Sequence, residues 1–128
     1  MKLVSLRKSL AAVLALIGAC AVSFVVDAQN LLTEPEALDL LKRRLEQEPL
    51  YGSMVTLECL DFRLARQGRN IFDYVVQPKA EPQCAEARSV LRVTDEFRVL
   101  RASGKIQWWD NRESEYAEYE RAKEFRKR

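Results

Sequence analysis

Residues 1–28 constrain this chain most, because they divide it into a segment to be used for export and a short remainder that must fold. Lys2, Arg7 and Lys8 form a basic start, and Leu10 to Val26 follows without a single charge. Val26-Asp27-Ala28 then places branched or small residues at the two positions a signal peptidase reads, so a signal peptide cleaved after Ala28 is expected. Two other fates stay open. Ile17-Gly18-Ala19-Cys20 resembles a lipobox, in which Cys20 would be acylated and the protein held on a membrane. An uncleaved anchor is the third, although 17 apolar residues at about 1.5 Å each reach about 25 Å, short of a hydrocarbon core of roughly 30 Å. The expected address is the bacterial periplasm or the exterior.

Cleavage changes the cysteine count and the charge. The chain has three cysteines, and loss of Cys20 leaves Cys59 and Cys84. Two cysteines in an oxidising compartment predict a disulfide; the alternative is two separate buried thiols. Removing Lys2, Arg7, Lys8 and Asp27 from 21 basic and 19 acidic residues leaves 18 of each. A formally neutral domain carries no global attraction to nucleic acid or anionic lipid. Taking 28 residues from 128 leaves 100, one domain with a modest core in which a disulfide counts.

Local signals organise those 100 residues as an α+β fold. Thr33-Glu34-Pro35-Glu36 reads as a capping box with proline in the first turn. Leu38, Leu41 and Leu45 share one helix face, acidic residues come early and basic ones late, and Pro49 and Gly52 terminate the element. A helix over about 34–48 is expected. Leu60, Phe62 and Leu64 then alternate with polar or small residues. Gln67-Gly68-Arg69-Asn70 is a turn, and Phe72, Tyr74 and Val76 alternate on the far side, a hairpin pattern. The segment Pro78 to Cys84 holds two prolines and reads as a loop. Leu91, Val93, Phe97 and Val99 share a strand face on which Asp95 is the exception, with 85–91 alternatively a helical turn. Ala102-Ser103-Gly104-Lys105 is a second hairpin turn leading to Ile106-Gln107-Trp108-Trp109. The expectation is a helix packed on a four-stranded antiparallel meander over 29–111, with 112–128 a charged tail or helix bearing i, i+3 pairs Glu118/Arg121 and Glu120/Lys123.

The stretch from Asp95 to Asp110 (DEFRVLRASGKIQWWD) resembles the C-terminal segment of small exported proteobacterial proteins of unassigned function. A helix followed by strands, with Ser103-Gly104-Lys105-Ile106 in the last turn, is similar to PepSY-type domains. That likeness implies a cystatin-like α+β fold and a role in periplasmic binding or peptidase modulation. The cysteine-containing loop between strands two and three departs from the PepSY pattern, and no functional residue is carried over.

The chemistry of the side chains narrows the function. There is no histidine, which removes Ser-His-Asp and Cys-His catalysis and the histidine zinc motifs. No glycine-rich phosphate motif is present. No catalytic residue, metal ligand or cofactor is expected. Asp61, Asp73, Asp95 and Asp110 lie in or beside strands and are candidates for a hydrolytic carboxylate pair, against the plainer reading of solvated charges. Asp95 stands out because alternation aims it at the apolar face. In Trp108-Trp109, adjacent residues must point to opposite faces. Trp108 shares parity with Ile106 and is expected in the core. Trp109 is then outside with Arg98 or Arg101 beside it, either an anchor for an envelope protein or peptide partner or a ring covered by arginine stems. The first reading of function is a non-catalytic binding or inhibitor/immunity-type module. The alternatives are a small envelope hydrolase using carboxylates and a structural envelope accessory protein. Nucleic acid is not an expected partner, and a membrane is one only if the signal stays uncleaved or Cys20 is acylated.

Overall fold

The computed structural model describes residues 30–92 and 94–127. The signal peptide, Cys20 and the placement of Val93 lie outside the described residues. Helix α1 spans Glu34–Gln47, and strands β1 (Leu60–Gln67) and β2 (Ile71–Pro78) form the first hairpin. A short helix α2 (Ala85–Val90) leads to β3 (Asp95–Leu100), β4 (Ile106–Asp110), β5 (Glu115–Glu118) and helix α3 (Tyr119–Arg126). The strands make one antiparallel sheet in sequence order, β1-β2-β3-β4-β5. The sheet has five strands where four were expected.

Helix α1 starts as its sequence predicts. The Thr33 N–H donates to the Glu36 carboxylate at 2.8 Å, the reciprocal half of a capping box. That bond holds the Glu36 carboxyl below its usual range. Ala37, Leu41 and Leu45 are buried against the sheet face formed by Phe72, Tyr74, Val76, Phe97, Val99 and Trp108. Complete burial of Leu41 removes enough apolar surface from water to contribute about 2 kcal/mol. The Tyr74 hydroxyl crosses from the sheet and donates to the Glu34 carbonyl at 3.1 Å, fixing the helix angle.

The first hairpin differs from the expected register. A turn over 67–70 pairs Cys59 with Pro78, but the observed partner of Pro78 is Leu60. The tip is shorter, with Gly68 N–H donating to the Ile71 carbonyl at 2.9 Å, and a bulge at Ala65 absorbs one residue. Leu64, expected on the buried face, is 37% exposed because β1 is an edge strand that runs past the core at this end. The disulfide forms: Cys59 and Cys84 are bonded, with Cα atoms 5.2 Å apart. Closing a loop of this length stabilises by about 3 kcal/mol in the chain-entropy model.

Gly104 closes the β3–β4 turn at φ +72°, and a Cβ there would lie 3.0 Å from the Leu40 side chain of α1. The positive φ favours glycine, and any other side chain there would also push the end of Leu40 aside.

Residues 112–128 are expected as a charged tail or helix. The structure makes Glu115–Glu118 into β5, paired with β4, and Tyr119–Arg126 into α3. Tyr119 and Ala122 are buried, and the Tyr119 hydroxyl donates to the Glu48 carbonyl at the end of α1 at 2.6 Å. Glu120 pairs with Lys123 at 3.2 Å as its spacing suggests. Arg121 turns instead to Asp110, Glu113 and Glu115, and Glu118 pairs with Lys105 at 2.7 Å. The β4–β5 hairpin places those carboxylates beside Arg121 and directs Glu118 to Lys105.

Candidate functional site

Helices α1 and α3 both pack on the sheet face of Phe97 and Val99. The opposite face presents half-buried residues from four strands, among them Val75, Glu96, Arg98, Trp109 and Tyr116. Trp108 is 4% exposed and Trp109 half-buried, so strand alternation sorts the two rings as expected. The register then assembles a row across this open face. Arg98 sits opposite Asp73, and Trp109 opposite Tyr116.

Each member of that row fixes the next. Asp73 is fully buried and accepts two hydrogen bonds from Arg98, Nε at 2.8 Å and Nη2 at 3.0 Å. Those bonds raise the Arg98 pKa, so its charge is permanent. The Arg98 guanidinium lies over the Tyr116 ring, its central carbon 3.9 Å from the centroid. Tyr116 donates its hydroxyl to Glu96 at 2.6 Å. Burial and the Glu96 bond together push the Tyr116 hydroxyl well above the ordinary tyrosine range, so it remains a donor. The Trp109 ring meets the Tyr116 ring edge to face at 5.0 Å. The result is a preorganised aromatic surface with one guanidinium, held by buried and half-buried acids.

Arg101 does not join this row. Its guanidinium donates to the carbonyls of Leu32 at 2.9 Å, Gly68 at 3.3 Å and Arg69 at 3.1 Å, and stacks on Phe72. It clips the chain entering α1 to the tip of the first hairpin. Arg98 and Trp109 both pack on Tyr116, and Arg101 does not join them.

Of the four aspartates, Asp61 is exposed and the other three are buried. None of these three is the solvated charge that composition alone would suggest. Asp95 does point into the apolar face, as alternation predicts. It accepts from the Tyr51 hydroxyl at 2.7 Å, from Trp108 Nε1 at 3.2 Å and from Arg126. Burial first, and then the Asp95 charge, drive the Tyr51 hydroxyl well above its usual pKa. Asp110 accepts the Arg112 N–H at 2.9 Å and lies 3.5 Å from both Arg112 and Arg121. Burial pushes its carboxyl upward, but hydrogen bonds from Arg112 and the Glu113 backbone outweigh burial and hold it below the carboxylate range.

Tyr116 is the site residue the sequence concealed, since it belongs to the segment expected as a charged tail or helix. The Asp110-Asn111-Arg112 run, whose aspartate bonds the backbone two residues on, is the one local sign of a hairpin there. Arg126 is equally hidden, because its partner Asp95 lies 31 residues away. Among the described residues no group of three or more Cys, Asp and Glu is disposed to hold a metal, and no helix is long and apolar enough to cross a membrane. A groove of about 580 Å³ lies between the end of α1 and residues 49–58, and no unpartnered buried polar atom of the described residues belongs to its lining. No protein-family model, curated protein or solved structure gives a significant match to this chain.

Proposed function

We propose that this protein is a non-catalytic binding or inhibitor-type module of the bacterial envelope, taking an envelope protein or peptide on its open sheet face. The observation that carries the reading is the Trp109–Tyr116–Arg98 row: a rigid ring and a charged fork, both preset by neighbours, on a face that α1 and α3 leave uncovered. Preset aromatic and arginine groups lose little entropy on docking, which is why they dominate binding energy where they are buried by a partner. The disulfide supports an oxidising compartment. The order of a helix and then an antiparallel meander, with Gly104 in the turn between β3 and β4, supports the PepSY-like reading.

The hydrolase reading asks for a carboxyl with a raised pKa beside an ionised one. Arginine pairing of Asp73, Asp95 and Asp110 favours structural charge pairs over a general acid.

Trp109→Ala tests the proposal. The variant should stay folded and lose only about 1–2 kcal/mol, from the half-burial of the ring and its edge-to-face contact. It should lose the partner that the parent captures from an envelope extract, while Gln107→Ala on the same strand keeps it. Capture of that partner by Trp109→Ala would overturn the docking face.

A further inference from the structure

The two edges of the sheet are finished differently. Strand β5 has four residues, exposes Glu115 and Glu118 and runs straight into α3. A short, charged edge of that kind resists pairing with another chain. Strand β1 has eight residues and carries neither proline nor lysine. The Lys79 N–H donates to the Cys59 carbonyl at 2.8 Å, which turns the backbone of Cys59, Asp61 and Arg63 toward β2 and that of Leu60, Phe62 and Leu64 outward. The Leu60 N–H is taken by the Leu57 carbonyl. The Leu60 carbonyl, and both backbone groups of Phe62 and Leu64, have no protein partner among the described residues. This free stretch ends at the turn of Leu57–Cys59 on one side and at the Ala65 bulge on the other, so its centre is Phe62.

The side chains of the stretch complement themselves. The one ion pair that β1 makes among the described residues is Arg66 with Asp73 at 3.7 Å, which leaves Asp61 and Arg63 exposed and unpaired. Two β1 strands paired antiparallel about Phe62 set Asp61 of each copy opposite Arg63 of the other. Both pairs fall at positions that exchange no backbone bonds, where facing side chains approach most closely. Moving the centre to Asp61 or to Arg63 puts like charges face to face, which repels. The same register sets Leu60 opposite Leu64. Leu64 is 37% exposed, on the face of β1 that also carries Leu60, and Leu60 lines the groove between α1 and residues 49–58. Leu64 of a second copy therefore arrives at the edge of that groove and leaves water.

We propose that the outer edge of β1 pairs with the same edge of a second copy of this chain, giving a two-fold dimer with one continuous sheet centred on Phe62. In each copy the Phe62 N–H donates to the Phe62 carbonyl of the other, and the Leu64 N–H to the Leu60 carbonyl of the other. The contact is isologous and closes on itself, so assembly stops at two. Its small extent makes the dimer a weak one, with a Kd of about 100 µM or below. The inference does not rest on the docking face, whose row lies on β3, β4 and β5, and each can fail alone.

Sedimentation equilibrium of the purified, disulfide-intact protein, read beside amide hydrogen exchange, tests the proposal. Raising the concentration should populate a dimer and protect the Phe62 and Leu64 amides. The Asp61 and Arg63 amides, already bonded to β2, should not change. Asp61→Arg and Arg63→Asp each replace two attractive pairs by two repulsive ones, and each should weaken dimerisation at least about tenfold. Both are exposed changes, so the melting temperature of the dilute protein should hold. An equimolar mixture of the two variants restores opposite charges at both positions and should form a heterodimer within about threefold of the parent Kd. A protein that stays monomeric up to about 1 mM would overturn the proposal. A dimer indifferent to the two reversals, a mixture that fails to associate, or concentration-dependent growth beyond two copies would overturn it as well. Protection of the Phe62 and Leu64 amides by an added extended peptide, in a protein that remains monomeric, would give the edge to a different occupant and equally overturn it.

Discussion

Asp73 and Asp110 lie on opposite faces of one sheet, 0% and 1% exposed, and the sheet treats them differently. Asp73 sits mid-strand on β2, where the register sets Arg98 directly across, and both its oxygens are taken by that one guanidinium. Asp110 ends β4, where no cross-strand cation is in register. Its needs fall to the Arg112 backbone in the adjoining turn at one oxygen and to an ion pair with Arg121 from α3 at the other. A buried charge inside a ladder can be satisfied by strand pairing alone. At a strand end, satisfaction depends on turns and on elements that arrive from elsewhere.

The two faces also separate the two tryptophans, and the largest expected effect tests that separation. Trp108→Ala should destabilise the protein by about 3–5 kcal/mol, because it opens a cavity under α3 and strips Asp95 of a donor. A urea melt of Trp108→Ala beside Trp109→Ala measures it. Equal losses would mean that the open face is as much a part of the core as the covered one.

Arg98→Ala should come next, at about 3 kcal/mol. Breaking a buried pair leaves a charge without its bidentate partner, and Arg66, at 3.7 Å and largely exposed, offers Asp73 little in exchange. Replacing Asp73 and Arg98 together by leucine should restore most of the loss. A loss below about 0.5 kcal/mol in the single variant would show that strand pairing is not what satisfies Asp73.

The smallest effect concerns acid. Hydrogen bonds hold the Asp110 carboxyl below its unfolded value of about 3.9 despite the opposing push of burial. A carboxyl depressed in the folded state stabilises above its unfolded pKa, and that stability is lost as pH falls through the folded one. Asp110→Asn should therefore flatten the acid arm of a pH–stability curve below about pH 4. Glu36, lowered by Thr33 at the start of α1, contributes to the same arm, so Glu36→Gln is the comparison. An unaltered slope in Asp110→Asn would place the acid sensitivity elsewhere.

Several of these features are readable in a few neighbouring residues. Thr33, Glu36 and the leucines of α1 carry their own periodicity and cap, and the helix ends one residue from where they imply. Alternation places Trp108 and Asp95 on the covered face and Trp109 on the open one. The Cys59–Cys84 bond forms although the register behind it is displaced by one, since the loop from Pro78 to Cys84 tolerates that error. The bulge at Ala65 gives no comparable sign, because nothing in Leu64-Ala65-Arg66 says which residue the opposite strand will skip.

Short-range physics written into neighbouring residues was enough for the capped helix, the two hairpins, the strand faces dictated by alternation and the cysteine pair. The fifth strand and α3 needed the folded whole, because β5 has four residues and is followed by Tyr119, whose hydroxyl docks on the end of α1, 71 residues away. The same long-range packing joins Arg98, not Arg101, to Trp109 through Tyr116, and brings Arg126 to Asp95. Arginine has the reach to serve any of several acids and carbonyls, so its partner is chosen by packing across the fold and not by its place in the chain.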